Sequence, residues 1–242
     1  MSLDKNFGRL KIFGFKLNYV LDIGAQLGIF SKNLKQTFPN CKFVLFEPNI
    51  NCNYELEKGN FEYHNWLLYK SSNKRIKFYI DKLNSFSTGN SIYLEQTDHF
   101  DKKNFIYLKT KTLDQFSSPD LIDLIKIDVQ GAEIDVMMGG LNTLKKTKFV
   151  LVETALKNYN LNSPDEKAVI KFMEKNNFKN FILFDIHVWK SANNNLANIQ
   201  TGEVFQRDLL FINSKSKFTD KFKFILLKIY INIKNFLKNN YY

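Results

Sequence analysis

Short apolar stretches alternate with helical patterns along residues 17–64, and this order constrains the fold more than any other feature of the chain. Three stretches have the length and composition of buried strands, namely residues 17–23, 42–46 and 61–64. Between them, residues 25–38 carry an apolar stripe at helical spacing, and residues 49–58 form a second helical segment. A strand–helix–strand–helix–strand order predicts a parallel sheet with helices packed on its faces.

The same alternation resumes after a region of different pattern. Further strands are predicted at residues 121–127, 149–152, 181–186 and 208–212, with helices at about 128–144 and 163–177. A β insertion in the sheet domain is predicted from about residue 70 to 118. It contains two segments of alternating apolar and polar residues, at 74–81 and 105–113, and a loop rich in small polar residues at 84–90. We therefore expect one α/β domain over residues 1–213 and a separate C-terminal segment, residues 214–242.

A turn with two glycines joins the first predicted strand to the first predicted helix. It reads Asp22-Ile23-Gly24-Ala25-Gln26-Leu27-Gly28. Gly24 and Gly28 allow a ligand to approach the backbone, and the start of the helix presents free N–H groups. A dinucleotide site would have glycine where Gln26 stands, because the pyrophosphate needs that space. The D-x-G-x-x-x-G spacing instead suits a nucleoside that carries an amino acid, as in S-adenosylmethionine, and is typical of a methyltransferase.

Acidic residues end several of the predicted strands. Glu47 follows the second strand about 20 residues beyond the glycines, where a carboxylate accepts hydrogen bonds from ribose hydroxyls. In an open α/β sheet, ligands bind outside the carboxyl ends of the strands. One rim of the sheet is therefore predicted to carry Asp22, Glu47, Asp128 and Glu153. Such a rim suits the positive charge of a sulfonium cofactor.

Four motifs together resemble the FkbM family of S-adenosylmethionine-dependent methyltransferases: LDIGAQLGIFS, FEPN, LIKIDVQGAEIDVMMGG and LVET. The resemblance runs from about residue 19 to 212. It implies a Rossmann-like class I methyltransferase fold, with a seven-stranded, mostly parallel sheet whose last strand is antiparallel. It also implies transfer of a methyl group to a hydroxyl of a sugar, a glycan or a related small molecule. The family usually has Glu where this chain has Gln130.

The resemblance assigns roles to individual residues. Asp22, Gly24 and Gly28 would bind the methionine part of the cofactor, Glu47 would hold the ribose, and Asn65 would touch the adenine. Asp128 and Glu133 are the candidates for the group that accepts the proton of the acceptor hydroxyl. In an alternative, Asp128 and Glu153 share a divalent metal that acidifies this hydroxyl, although we expect no metal requirement. A structural role is favoured for the histidines, His64, His99 and His187.

Composition bears on two rival functions, a nucleic-acid methyltransferase and a non-catalytic binding protein built on the same scaffold. The net charge is +11, but arginine, which makes the bidentate contacts to phosphate and guanine, occurs only three times. The chain has no Asn/Asp-Pro-Pro-aromatic loop for methylation of base amino groups. Cys41 and Cys52 lie away from the acceptor site that cytosine methylation would need. We therefore expect no nucleic-acid partner, and the intact glycine turn argues against a non-catalytic scaffold.

The C-terminal segment, residues 214–242, predicts a basic amphipathic helix. It contains seven lysines and one aspartate. One helical face carries Phe222, Ile225, Leu226, Ile229, Ile233, Phe236 and Leu237. This stripe is compatible with core packing, with a partner or dimer interface, or with a helix lying in an anionic membrane surface. No secretory signal or membrane-spanning stretch is apparent, so we expect a cytoplasmic protein, with peripheral contact at the inner membrane face as the membrane alternative.

Overall fold

The computed structural model describes residues 3–157, 159–188 and 203–240, except for the side chains of residues 3–6 and 235–240. The strands are β1 (Tyr19–Ile23), β2 (Lys42–Phe46), β3 (Glu62–His64), β4 (Leu67–Leu68), β5 (Arg75–Tyr79), β6 (Phe105–Lys111), β7 (Ile122–Ile127), β8 (Thr147–Ala155), β9 (Asn180–Val188) and β10 (Val204–Ile212). The helices are α1 (Leu3–Ile12), α2 (Ile29–Thr37), α3 (Asn53–Lys58), α4 (Glu133–Met138), α5 (Leu141–Lys145), α6 (Glu166–Lys175) and α7 (Phe218–Asn240).

Seven strands form the main sheet in the order β3-β2-β1-β7-β8-β10-β9. Strand β10 runs opposite to the other six strands of this sheet, and it pairs with β8 on one side and with β9 on the other. This arrangement confirms the predicted α/β class with a mostly parallel seven-stranded sheet and an antiparallel last strand. The central strands β1 and β7 are nearly continuous apolar runs, as expected for strands covered on both faces.

Two apolar clusters cover the two faces of the sheet. On one face, side chains of α1, α2 and α7, such as Phe7, Leu34 and Phe224, pack against the strands. On the other face, α4 and α6 contribute Met137 and Met173. The helices therefore alternate between the faces, which leaves the carboxyl ends of the parallel strands open at one rim.

Several helices differ from the sequence predictions. Helix α2 begins at Ile29 rather than near residue 25, because Gly28 at its start has φ of +70° and cannot belong to the helix. The helix predicted over residues 128–144 consists of α4 and α5, which are separated at Gly139. A Cβ atom at Gly139 would overlap the backbone carbonyl of Tyr69. Helix α1 was not predicted at all.

The β insertion is a small three-stranded sheet with the order β4-β6-β5. It lies in the chain between β3 and β7. Strands β4 and β6 are parallel, whereas β5 and β6 are antiparallel. The connection between β5 and β6, which contains the predicted loop 84–90, reaches the rim of the main sheet.

Helix α7 places its apolar residues differently from the prediction. The buried side chains are Phe224, Leu227 and Ile231, none of which belongs to the predicted stripe. The stripe residues Phe222, Ile225, Leu226, Ile229 and Ile233 are exposed, and the side chains of Phe236 and Leu237 lie outside the described part. Core packing is therefore the wrong interpretation of the five described stripe residues. Within the described residues, no helix combines the length and the apolar composition needed to cross a bilayer.

Candidate functional site

The glycine turn is held tightly between β2 and β7. Gly24 has φ of +75°, and a Cβ atom there would overlap the backbone carbonyl of Asp128. The backbone N–H groups of Gly24 and Ala25 donate to the carbonyl of Phe46 at 2.9 and 3.2 Å. The turn therefore needs glycine at position 24 in order to pass this close to the end of β7.

Glu47, at the end of β2, is buried beside this turn. Its two carboxylate oxygens accept hydrogen bonds from the backbone N–H groups of Gln26 and Asn49, each at 2.9 Å. Burial raises the pKa of Glu47 to about 7, although these two hydrogen bonds favour the ionised form. A carboxylate oxygen has more than one acceptor position, so Glu47 can still accept hydrogen bonds from a ligand hydroxyl.

A cavity opens above the turn, and we call it the glycine-loop cavity. Its walls include Gly24, Gln26, Phe46, Glu47, Asn49, Trp66 and Lys126. It therefore contains the predicted ribose-binding residue and one of the two predicted glycines. Trp66 adds an aromatic ring that sequence reasoning did not assign to the site.

Lys126 is a site residue that sequence reasoning missed. Its ammonium lies 3.0 Å from Asp128 Oδ2 and 3.6 Å from Asp22 Oδ1, and it donates to the carbonyl of Gly24 at 3.3 Å. Burial lowers the pKa of Lys126, but the attraction of the two carboxylates outweighs it and the net shift is upward. A lysine inside the otherwise apolar run LIKI was the available signal.

Asp22 lies behind Lys126 and is completely buried. Its Oδ2 accepts a hydrogen bond from Ser31 Oγ at 2.7 Å, and burial raises its pKa. Asp22 does not belong to the described walls of the glycine-loop cavity, whereas Lys126 does. In this structure Asp22 supports Lys126 and the first turn of α2, and its contact with the methionine part of the cofactor stays a prediction.

Gln130 connects the carboxylates that end β7 and β8. Its amide nitrogen donates to Asp128 Oδ1 and to Glu153 Oε1, both at 2.7 Å, and its amide oxygen accepts from the hydroxyl of Tyr159 at 2.9 Å. A glutamate at position 130 could not donate these bonds. The Gln130 amide thus bridges the two carboxylates, so a metal ion shared by Asp128 and Glu153 would have to displace these hydrogen bonds.

The pKa values of these two carboxyl groups move in opposite directions. Burial raises the pKa of Asp128, but the ammonium of Lys126 and the Gln130 amide outweigh this, so the net shift is downward. Burial and the neighbouring charges of Asp128 and Asp208 raise the pKa of Glu153 well above its usual value. The pair therefore favours an ionised Asp128 beside a protonated Glu153.

A group of three side chains on β8, β9 and β10 joins the predicted rim residue Glu153 to His187, for which a structural role was expected, and to Asp208, which sequence reasoning missed. His187 Nε2 is 3.0 Å from Asp208 Oδ2 and 3.7 Å from Glu153 Oε2. The hydrogen bond to Asp208 raises the pKa of His187, and burial opposes this shift. Among the described residues, these three offer ligand atoms close enough to one another to hold a metal ion. Asp208 reaches Glu153 because the two residues pair in the antiparallel register of β10 and β8.

Glu133 and Asn65, two predicted site residues, do not line the cavities of the described structure. Glu133 is the buried first residue of α4, and its Oε1 accepts from the backbone N–H groups of Val129 and Gly131 in the preceding turn at 3.2 and 3.0 Å. Burial raises the pKa of Glu133 to about 7. The side-chain nitrogen of Asn65 donates to the carbonyl of Glu47 at 2.9 Å. Both side chains brace the turns that carry the site.

A second cavity, of about 450 Å³, adjoins the first, and we call it the acidic cavity. Its walls contain carboxylates, amides and aromatic rings, including Asp81, Glu95, Phe100, Tyr159, Phe205 and Gln206. None of the described residues that line it is a lysine or an arginine. The residues common to both cavities are Ser87, Thr88, Asp128, Gln130, Glu153 and His187.

The loop of the β insertion covers the junction of the cavities. Asn49 Nδ2 donates to the carbonyl of Ser85 at 2.6 Å, and Gln26 Nε2 donates to the carbonyl of Phe86. Ser91 Oγ donates to the carbonyl of Gln130 at 2.8 Å. The sequence predicted a small polar loop but gave no indication that it binds three strand-end turns.

Comparison with known proteins identifies relatives of this chain. A sequence profile described as "Methyltransferase FkbM domain" matches residues 22–179. The 2-O-methyltransferase NoeI of Sinorhizobium fredii is 28% identical over 151 residues, which are 55% of this chain and 62% of that protein. The match thus spans less than two thirds of that relative.

Solved structures with a similar course of the chain include two methyltransferases. One is the N-methyltransferase NodS from Bradyrhizobium japonicum in complex with S-adenosyl-L-homocysteine, at 11% identity and a TM-score of 0.49, covering 88% of this chain and 86% of that one. The other is the magnesium protoporphyrin IX methyltransferase ChlM from Synechocystis with bound S-adenosylmethionine, also at 11% identity and a TM-score of 0.49, covering 88% and 78%.

Proposed function

The chain belongs to the FkbM family of S-adenosylmethionine-dependent methyltransferases, and from this premise we propose that it methylates a hydroxyl of a sugar, a glycan or a related small molecule. The observation that carries the proposal is the junction of two cavities at Asp128 and His187. One cavity has the features of a nucleoside site, and the other has the polar and aromatic walls of a carbohydrate site. Methyl transfer requires two ligands to meet in this way.

The glycine-loop cavity fits the cofactor. Gly24 lets the turn pass close to the end of β7 at the wall of the cavity, and Glu47 presents a buried carboxylate suited to the ribose hydroxyls. Trp66 offers an aromatic face for the adenine. Asn65 supports this arrangement through the backbone of Glu47. The bound cofactor would supply a methyl group activated by its sulfonium charge, which the ionised Asp128 complements.

The acidic cavity favours an acceptor rich in hydroxyl groups. Carboxylates accept hydrogen bonds from hydroxyl groups, and side-chain amides both accept and donate them. Phe100 and Phe205 provide apolar surface for the face of a sugar ring. Asp81 and Glu95 line this cavity and none of its described lining residues is a lysine or an arginine, so it would disfavour phosphate or carboxylate groups. This argues against nucleic acid as the acceptor. The name of the relative NoeI, a 2-O-methyltransferase, supports oxygen as the methylated atom.

The acceptor hydroxyl must lose its proton as the new oxygen–carbon bond forms. Asp128 is a weak proton acceptor, because Lys126 and Gln130 hold its pKa low. His187 lines both cavities and is oriented by Asp208 at 3.0 Å. We therefore assign the proton-accepting role to His187 and assign to Asp128 the electrostatic stabilisation of the methyl donor. Glu133, the other candidate from sequence, would act by holding the turn that carries Asp128.

The proposal is tested by measuring S-adenosyl-L-homocysteine production with matched acceptor panels. One panel contains neutral monosaccharide glycosides and oligosaccharides, and the second contains uronic acids, sugar phosphates and RNA. We expect turnover with members of the neutral panel and none with the anionic panel. Turnover only with RNA or with phosphorylated sugars would overturn the proposal.

A further inference from the structure

Helix α7 has two apolar faces, and within the described residues one of them packs against the sheet while the other stays exposed. Phe224, Leu227 and Ile231 are buried, and the ring of Phe224 stacks on that of Phe149 with centroids 6.2 Å apart. A second set of apolar side chains remains about half exposed, namely Phe222 (53%), Ile225 (54%), Ile229 (50%) and Ile233 (55%). Folding of the described chain therefore leaves an apolar helix face uncovered.

The two faces lie on opposite sides of the helix. At about 100° per residue, the four exposed residues fall within one narrow arc, and the three buried residues fall roughly half a turn away. We call the residues Phe222, Ile225, Ile229 and Ile233 the outer face of α7. Because the core face fixes how α7 is rotated on the sheet, the outer face points away from the protein.

Lysines border the outer face on both sides. By the same angular count, Lys221 and Lys228 lie along one edge of the outer face, and Lys223 and Lys234 lie along the other. Lys223 donates to the carbonyl of Gly14 at 2.7 Å, and Lys228 lies over the ring of Phe181. The side chains of Lys221 and Lys234 are at least partly exposed. The result is an apolar strip between two basic edges.

We propose that the outer face of α7 docks on an anionic membrane surface, with the helix axis in the plane of the interface. The apolar side chains would enter the acyl boundary, while the flanking lysines reach the acidic headgroups. This pattern of a strip between basic edges is the one that interfacial helices use. The lysine-rich segment from residue 215 onward adds positive charge close to the surface.

A second copy of the chain fits the outer face less well. Pairing two outer faces would bring lysine edges of like charge together, which disfavours association. An acidic membrane complements the same edges. The proposal is independent of the acceptor, since α7 contributes no residue to the described walls of either cavity.

The test is co-sedimentation of the full chain with vesicles of phosphatidylcholine alone and with vesicles that also contain phosphatidylglycerol. We expect the chain to pellet with the anionic vesicles only, and high salt to release it at least in part. The variant Ile225→Ser/Ile229→Ser should bind the anionic vesicles about tenfold more weakly or worse, because it removes two inserted side chains. Its circular dichroism spectrum should be unchanged, since both positions are exposed.

The matched control is Leu121→Ser, which removes an equally exposed (50%) apolar side chain far along the chain from α7. It should bind the vesicles as the unmodified chain does. The proposal fails if the unmodified chain stays in the supernatant with anionic vesicles, or if Leu121→Ser weakens binding as much as the double variant. It also fails if light scattering finds a dimer that the double variant converts to monomers.

Discussion

The ammonium of Lys126 lies 3.0 Å from the carboxylate of Asp128, at the point where β7 ends and both cavities begin. The same ammonium donates to the carbonyl of Gly24, so it connects the end of β7 to the glycine turn after β1. Register explains the arrangement, because Lys126 pairs with Asp22 across β1 and β7. One buried cation therefore holds the turn to which we assign cofactor binding.

Replacement of Lys126 should damage both stability and cofactor binding. Lys126→Met leaves Asp22 and Asp128 without their cation, and breaking a buried pair from one side costs about 3–5 kcal/mol. Thermal unfolding and calorimetric titration with S-adenosyl-L-homocysteine measure the two effects. Lys148→Met is the matched control, because Lys148 pairs with the buried Asp123, a residue of the same β7 outside the cavity walls. Lys148→Met should lower stability but leave the affinity for S-adenosyl-L-homocysteine unchanged. Equal affinities in the two variants would show that Lys126 does not contribute to cofactor binding.

Substitution of Gly24 should lower the stability of the protein for steric reasons. In Gly24→Ala, the strained φ and the overlap with the carbonyl of Asp128 together should cost about 2–4 kcal/mol. Gly8→Ala provides the comparison, since Gly8 lies in α1 with no atom near the added methyl group, and alanine there should stabilise by about 0.5–1 kcal/mol. Denaturant unfolding measures both changes. A Gly24→Ala protein as stable as the Gly8→Ala protein would contradict the geometry of the turn.

Cofactor affinity should depend on pH through Glu47. Burial raises its pKa to about 7 in the free protein, and ribose hydroxyls donate to the ionised form. Binding therefore favours the ionised carboxylate, and affinity should increase as the pH rises through about 7. In Glu47→Gln this dependence should disappear and the affinity should fall about tenfold or more.

Calorimetric titration at several pH values measures the effect of Glu47, with Glu55→Gln as the control. Glu55 is a carboxylate of the neighbouring α3 that pairs with Lys32 outside the cavity walls. This control should keep the pH dependence of the unmodified chain. If the pH dependence of cofactor affinity is unchanged in Glu47→Gln, a group other than Glu47 causes it.

The pH dependence of turnover should separate the roles of His187 and Asp128. If neutral His187 accepts the proton, turnover falls at low pH as the imidazole becomes charged, and His187→Gln removes this limb together with about 10²–10⁴-fold of the rate. Asp128→Asn should lose about 10²-fold or more but keep an acidic limb. Retention of the limb in His187→Gln would contradict the assignment. Loss of turnover on chelation, restored by added divalent metal, would instead assign Glu153, His187 and Asp208 as ligands.

The central features of the fold could be predicted from the sequence, as could the presence of Gly24 and Glu47 at one rim of the sheet. Strand and helix periodicities differ clearly in the first half of the chain, and they located β1, β2 and the glycine turn. Glu47 could be identified because its distance from Gly24 follows from one βαβ unit. These inferences depend on residues close together in the sequence.

The group of Glu153, His187 and Asp208 depends on contacts that sequence spacing does not encode. Glu153 and Asp208 meet because β10 inserts between β8 and β9, 55 positions after Glu153 in the chain. The sequence predicted a helix with an apolar stripe at the position of α7, but it did not predict which face of that helix is buried. The buried face is the one on which Phe224 contacts Phe149 of the sheet. Two apolar faces on one helix give no local signal for choosing between them.

Direct identification of the methylated atom tests the central claim most sharply. The full chain is incubated with S-adenosylmethionine labelled in its methyl group and with neutral sugar acceptors, and NMR of the isolated product locates the label. We predict that the label is found as a methyl group on a hydroxyl oxygen of a neutral sugar. We also predict that His187→Gln forms little or none of this labelled product. A label on nitrogen, or no labelled product from any neutral acceptor while S-adenosyl-L-homocysteine binding is intact, would contradict the account.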